Sequence, residues 1–349
     1  MPLTDKRILI TGGTGSLGKA IVSRLLTGEM GKPARIIVFS RDETKQHYMR
    51  LDFQRREVAT DEVIYKSSRQ LLSFRIGDVR DPHSLAEALA DVDVVVHAAA
   101  MKQVPACEYF PCEAVSTNVL GAQNIVRIIR QNRLPISTVL GVSTDKACKP
   151  INVYGMTKAL LERILIEGNM GCPDTRFLCV RYGNVIASRG SVIPLFASQI
   201  ESGGPVTITT MDMTRFLLPL DRAVDTIFAA FRFGRKGEIY VPKVPAAKIV
   251  DVADVMIAER DIRVIVTGIR PGEKVHEILV SEEECHRTIE RDGYYVILPV
   301  LPELRESVES HPALETEYSS AHPNVDPLTL TNLLAPYVGI SDQAMSEAA

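Results

Sequence analysis

Short apolar, β-branched runs recur along the first half of the chain and are separated by amphipathic stretches of helical period. RILI (7–10), RIIVF (35–39), SFRI (73–76), VDVVVHAA (92–99), STVLGV (137–142) and RFLCV (176–180) predict strands. After the first run, Leu17, Ala20, Ile21, Val22, Leu25 and Leu26 fall on one face of a helix. Another helix opens at Asp81-Pro82, an N-cap followed by a proline whose missing N–H is harmless there, and carries Leu85, Ala88 and Leu89. This alternation predicts an α/β fold, a doubly wound parallel sheet with helices on both faces.

Past Arg181 the rhythm breaks into loops rich in Gly, Pro and Thr (188–215), a helix over Leu220–Phe233, and shorter α/β pieces up to Leu298. The expected organisation is a dinucleotide-binding domain over 1–181 and a smaller substrate lobe over 182–303, with segments returning to the first domain. A partly flexible extension over 304–349 follows, with one helical pattern at Pro327–Leu334 and a frayed end. There is no internal repeat.

With 349 residues, 46% hydrophobic and 24% charged, the chain can bury a large core. Lys and Arg number 40 against 43 Asp and Glu. That balance supplies no basic field for nucleic acid or an anionic membrane, so any anion must be gripped locally. A strand begins within a few residues of the N-terminus, and the most apolar run (92–101) is short and interrupted by Asp93 and His97. Neither an export signal nor a membrane span is expected. Cys107, Cys112, Cys148, Cys172, Cys179 and Cys285 form no C-x-x-C pair and no zinc spacing, so they read as reduced thiols of a cytoplasmic protein without a metal.

The first strand runs straight into TGGTGSLG and then a helix. Glycines there let the turn take positive φ and let a pyrophosphate approach the backbone, while the helix N-terminus offers unpaired N–H groups. Gly12, Thr14, Gly15, Ser16, Leu17 and Gly18 are therefore candidate dinucleotide contacts. The second strand ends in Ser40-Arg41-Asp42. Arg41, with Ser40 and Lys45, suits the 2′-phosphate of NADP; Asp42 is the alternative, a reader of the NAD ribose. Asp78 and Val79 follow the third strand, toward the adenine, and Ala98, Ala99 and Ala100 follow the fourth, where a backbone must lie close to the cofactor.

Tyr154 and Lys158 stand four residues apart and share a helix face. A phenol is a poor base at neutral pH, and a neighbouring ammonium and a positive nicotinamide are expected to lower its pKa. Tyr154 can then take a proton from a sugar hydroxyl as hydride leaves the same carbon, with Lys158 bonding the nicotinamide ribose.

TGGTGSLG, FSRDETKQ, GDVRD, HAAAMKQVPACEYFP, TNVLGAQN, STDKACKPINVYGMTK, RYGNVIASRGSVIPLF, MTRF and IRPGEKVHE together resemble the extended short-chain dehydrogenase/reductases. Within them they resemble the inverting UDP-N-acetylglucosamine 4,6-dehydratases of pseudaminic acid and capsule polysaccharide synthesis, over roughly residues 5 to 300. The resemblance implies a Rossmann-type fold and a redox-neutral hydro-lyase. Retaining relatives carry Thr-Asp-Glu where this chain has Thr144-Asp145-Lys146, and in the inverting enzymes the C5 base is the lysine. Oxidation at C4 acidifies the C5 hydrogen, Lys146 removes it, and Asp145, held protonated, gives a proton to the departing 6-hydroxyl. Hydride then returns to C6. For this Lys146 needs a depressed pKa, which burial and nearby positive charge, Lys158 included, are expected to supply.

By the same resemblance Lys102 lies near the hexose, and Asn184 and Val185 hold diphosphate or sugar. Arg189, Thr209 and Arg215 sit in substrate loops, and Arg270 and Glu273 bind diphosphate and ribose. A homo-oligomer, dimer or hexamer, is implied, the dimer faces being the helices at 111–131 and 153–168. Cys148 and His97 read as a small buried thiol and a strand-end histidine satisfied by backbone. Two other readings share the glycine loop: a UDP-sugar 4-epimerase or ketoreductase, and an NADP-sensing protein without turnover.

Overall fold

The computed structural model describes residues 1–59, 71–186, 191–305 and 311–338. Six parallel strands lie within two residues of their expected limits: β1 (Arg7–Thr11), β2 (Arg35–Ser40), β3 (Leu72–Ile76), β4 (Val94–His97), β5 (Thr138–Val142) and β6 (Arg176–Val180). Every residue of β4 and β5 is buried, as both faces of such a sheet are covered. The helix Pro82–Leu89 starts as expected, with Asp81 accepting from the His83 N–H.

β7 (Val206–Ile208) and β8 (Thr214–Phe216) lie outside this sheet, whereas β9 (Ile239–Pro242) returns to pair in parallel with β6. β10 (Ala246–Lys248) pairs with β8 and β11 (Val264–Val266) with β7. After β12 (Ile278–Val280), the hairpin of β13 (Thr288–Arg291) and β14 (Tyr294–Ile297) adds antiparallel strands beyond β9. Its turn, Asp292-Gly293, has φ of 51° and 81°, a left-handed pair whose twist suits a two-residue hairpin. Among the described residues the main sheet runs β13-β14-β9-β6-β5-β4-β1-β2-β3. The order reverses between β1 and β4, which opens a ligand crevice at the strands' C-terminal ends.

One hydrophobic core surrounds this sheet. A second gathers Phe196, Ile208, Val252 and Met256 of the smaller lobe with Leu330 and Leu334. Those leucines anchor part of the C-terminal extension. The helix Pro327–Leu334 forms as expected, but Leu330 and Leu334 are buried, at 3% and 0% exposure, and the helix packs on Ile249–Ile257. Each buried leucine contributes about 2 kcal/mol. β15 (Tyr318–Ser319) also pairs with β12, and the Tyr318 hydroxyl donates to Val244 O. Composition alone hid this, because few apolar positions do the anchoring.

Candidate active site

At the end of β1, Gly12 has φ +68°, and a Cβ there would lie 2.8 Å from Ala99 Cα. The glycine loop and the loop after β4 thus abut, tied by Ala98 N–H to Thr11 O and Ala99 N–H to the Thr11 hydroxyl. Thr14 is buried, Gly15 caps the helix Ser16–Leu26, and Leu17 of that helix packs on the core. Gly18 rests on Gly13, where a side chain would clash with backbone at 2.5 Å. A Cβ on Gly15 would meet nothing nearer than Gly12 O at 3.4 Å. Open space before unpaired helix N–H groups fits the pyrophosphate of a dinucleotide.

Ser40 is buried and accepts from Gln46, and Asp42 is held by Lys45, through its N–H at 2.9 Å and its ammonium at 2.9 Å. Arg41 is exposed and only loosely paired with Asp78, at 3.8 Å. Asp78 itself bonds Arg80 at 2.8 Å, and Val79 is buried. His97 departs from expectation: its Nδ1 shares a 2.8 Å hydrogen bond with the Thr11 hydroxyl rather than with backbone. Burial lowers its pKa to about 3, so it is neutral.

Thr144 and the single turn Asp145–Ala147 follow β5. The helix Val153–Gly171 presses against this turn, and a Cβ on Gly155 would lie 2.1 Å from Lys146 O. Asn152 caps that helix through the Gly155 N–H and donates to Gly272 O, joining it to the RPGE turn. Tyr154 therefore faces the turn and hydrogen-bonds with Thr144. The Thr144 hydroxyl donates to Asp145 Oδ1 at 2.8 Å. Lys146 Nζ lies 3.2 Å from Asp145 Oδ1, 3.1 Å from Asn184 Oδ1 and 3.2 Å from Glu277 Oε1. Asp145 is fully buried and Glu277 is 2% exposed. Among the described residues, Asp145 Oδ2 and Glu277 Oε2 have no hydrogen-bond partner.

The electrostatics correct two expectations. Burial alone would push the Lys146 ammonium down, but Asp145 and Glu277 outweigh it and hold the pKa above its ordinary value; the cation that opposes them is Arg215, not Lys158. Burial lifts Tyr154 to about 12, against the opposing pull of Lys146 and the Thr144 hydrogen bond. Lys158 is the depressed amine, brought to about 8 by burial, and its Nζ donates to Val142 O at 2.7 Å. Asp145 behaves as expected: burial first, and Glu277 in addition, raise its pKa and favour the acid. Burial would raise Glu277 too, but Lys146 and Arg215 hold it below the usual carboxylate value.

Beside this cluster a cavity of about 450 Å³ is lined by Asn184, Thr209, Arg215, Arg270 and Glu273, five of the residues assigned to substrate, together with apolar Leu195, Met213 and Ile249. Within it Glu273 is already engaged, by the Thr209 hydroxyl at 3.3 Å and Arg215 at 3.6 Å, and Arg270 is exposed. Lys102 is exposed, and Val185 bridges to Leu218. Arg189 lies outside the described residues.

Two residues of the site were missed in the sequence. Glu277 closes the motif IRPGEKVHE and is brought to Lys146 only by folding. Asn118 sits in the π-helical turn Val115–Leu120, where its side chain clamps both the N–H and the carbonyl of Met101 and donates to Thr157. The signal for both was a polar side chain inside a motif already recognised.

The sheet order, the glycine loop between β1 and its helix, and the Tyr154/Lys158 helix beside the turn after β5 are those of the extended short-chain dehydrogenase/reductases. The chain belongs to the polysaccharide biosynthesis protein family, whose description matches residues 8–299. A protein named UDP-glucose 4-epimerase from Rickettsia conorii is 46% identical over 300 residues, 84% of this chain and 83% of the relative. The X-ray structure of Pen from Bacillus thuringiensis aligns with a TM-score of 0.84 at 32% identity, covering 96% of this chain and 98% of that one. DesIV, a dTDP-glucose 4,6-dehydratase from Streptomyces venezuelae with NAD and TYD bound, shares the fold at 22% identity, with a TM-score of 0.63 over 77% of this chain and 86% of its own.

Proposed function

We propose that the protein is a sugar-nucleotide 4,6-dehydratase, converting UDP-N-acetylglucosamine to a UDP-4-keto-6-deoxy sugar with inversion at C5. The observation that carries the reading is Lys146 Nζ held between Asp145 and Asn184, beside Tyr154, at the edge of the substrate cavity. The glycine loop and the segment Ala98–Ala100 would hold a nicotinamide dinucleotide, which supplies hydride abstraction at C4 and its return to C6. Tyr154 takes the C4 hydroxyl proton, Lys146, once neutral, takes the proton from C5, and as hydride returns to C6 a solvent-derived proton is added to C5 from the opposite face. Asp145, whose pKa burial raises, protonates the leaving 6-hydroxyl. Arg215 and Arg270 grip the diphosphate, a task for fixed guanidinium forks.

NADP is the proposed cofactor. Asp42 spends its oxygens on Lys45, whereas exposed Arg41 is available to a 2′-phosphate. Arg41→Ala should weaken NADP binding and leave NAD binding unchanged in a fluorescence titration. The NAD bound to DesIV is the ground for the alternative. The protein is further proposed to form a homo-oligomer through the helices at 111–131 and 153–168, where Val115, Leu120, Met156 and Leu160 are exposed.

A second reading, UDP-glucose 4-epimerase, is favoured by the names of the Rickettsia relatives. Epimerisation moves a proton only at the C4 hydroxyl and leaves the Asp145, Lys146 and Glu277 cluster without a task. Mass spectrometry after incubation with UDP-N-acetylglucosamine separates the two: the dehydratase product is lighter by one water, and an epimer has unchanged mass.

A further inference from the structure

Lys146 has two carboxylates around it and must be neutral to act on carbon. Glu277 Oε1 is 3.2 Å from Lys146 Nζ, the carboxylate is 2% exposed, and Oε2 has no hydrogen-bond partner among the described residues. Its backbone is fixed from both sides, the Glu277 N–H donating to Ser320 Oγ at 2.9 Å and the Ser320 N–H donating to Glu277 O at 2.8 Å. The docked extension therefore holds this carboxylate against the catalytic turn. We infer that Glu277 takes the proton that Lys146 must lose before it can act on C5.

The inference rests on the reading of Lys146 as the C5 base proposed above. In the step itself an N–H bond at Lys146 Nζ breaks and an O–H bond forms at Glu277 Oε1. An ammonium–carboxylate pair becomes an amine and a carboxylic acid, with no change in net charge and no exchange with solvent. When the sugar fills the cavity and expels water, burying the two charges grows costlier, which favours the neutral pair. The surroundings are mixed. Asp145 and Tyr154 face Lys146, with Arg215 on β8 opposing them. Lys146, Arg215 and Lys274 face Glu277. Burial first, and Glu277 in addition, raise the Asp145 pKa against the pull of Lys146, and in the proposed reaction the proton of Asp145 goes to the leaving hydroxyl, which leaves Glu277 as the acceptor.

The test follows deuterium entering C5 of UDP-N-acetylglucosamine in deuterated water, with holoenzyme, from about pH 6 to about pH 9. With an internal acceptor the wild-type rate is nearly flat across this range. Glu277→Gln should be about a hundredfold slower at neutral pH and should climb with pH, because its Lys146 must lose the proton to solvent. Transient reduced nicotinamide, the mark of C4 oxidation, should form as in wild type, and Glu277→Asp should restore the flat profile. Wild-type rate and profile in Glu277→Gln would overturn the inference, as would an equal fall in C4 oxidation and C5 exchange with an unchanged profile. Should Glu277→Gln not fold, the wild type still decides: a rate rising about tenfold per pH unit means that solvent takes the proton. Absence of C5 exchange in wild type at every pH is a different result, and it removes the dehydratase reading itself.

Discussion

Two buried clusters of acid and base are built on the chain just after β5 and β6, and they differ in what they leave over. Around Arg181, five N–H groups make five hydrogen bonds: two to Glu162, two to Glu284 and one to Leu279 O. Ser143 completes Glu162, and Ser281 and Arg287 complete Glu284. Around Lys146 the same chemistry is unfinished, with Asp145 Oδ2 and Glu277 Oε2 buried and, among the described residues, unpartnered. A buried charge is tolerated when fully paired, so the first cluster is structural. Oxygens left unpaired in the second are costly, and they pay their way only if a ligand uses them.

The comparison breaks most sharply at Asp145. Asp145→Asn keeps the shape but removes the acid, and turnover should fall roughly 10²- to 10⁴-fold while the denaturation midpoint stays close to wild type. Turnover and urea unfolding of the same preparation check both halves. Arg181→Met should behave in the opposite way. It leaves buried Glu162 without its ion-pair partner and Glu284 with Arg287 alone, and urea unfolding should register a loss of about 3–5 kcal/mol.

Acid sharpens the contrast. Arg181 and its hydrogen bonds overcome the burial of Glu284 and hold its pKa at about 2, well below that of an unfolded glutamate. The unfolded chain therefore binds this proton first as pH falls. The contribution, about 3 kcal/mol, is present above about pH 4 and is lost between about pH 4 and about pH 2. Unfolding measured across that range should show the loss in wild type and a shallower one in Glu284→Gln. The smallest effect belongs to the link between the clusters. Ser143→Ala removes the hydroxyl donating to Glu162 at 2.6 Å, at a cost of about 1.5 kcal/mol in unfolding, with turnover changed less than in Asp145→Asn.

The sheet was legible because parallel strands are apolar on both faces and announce themselves as continuous runs, and the Leu220–Phe233 helix because its period and ends are plain. Tyr154, Lys158 and Lys146 were legible because one helix and one turn carry them. Glu277 was not, since nothing local relates it to Lys146 across more than a hundred residues. The sign of the Lys146 shift was lost for the same reason: burial can be guessed from the chain, but the second carboxylate cannot. Docking of the extension escaped too, because Leu330, Leu334 and Tyr318 find their partners only in the folded lobe.

In the proposed reaction an amine removes the proton at C5. The deuterium content of C5 decides this, measured after incubation of UDP-N-acetylglucosamine with wild type and with Lys146→Ala in deuterated water. The expected result is a deuterated C5 for wild type and protium retained there for the variant, with C4 oxidation still detectable in both. Equal labelling of C5 by the two proteins would contradict it.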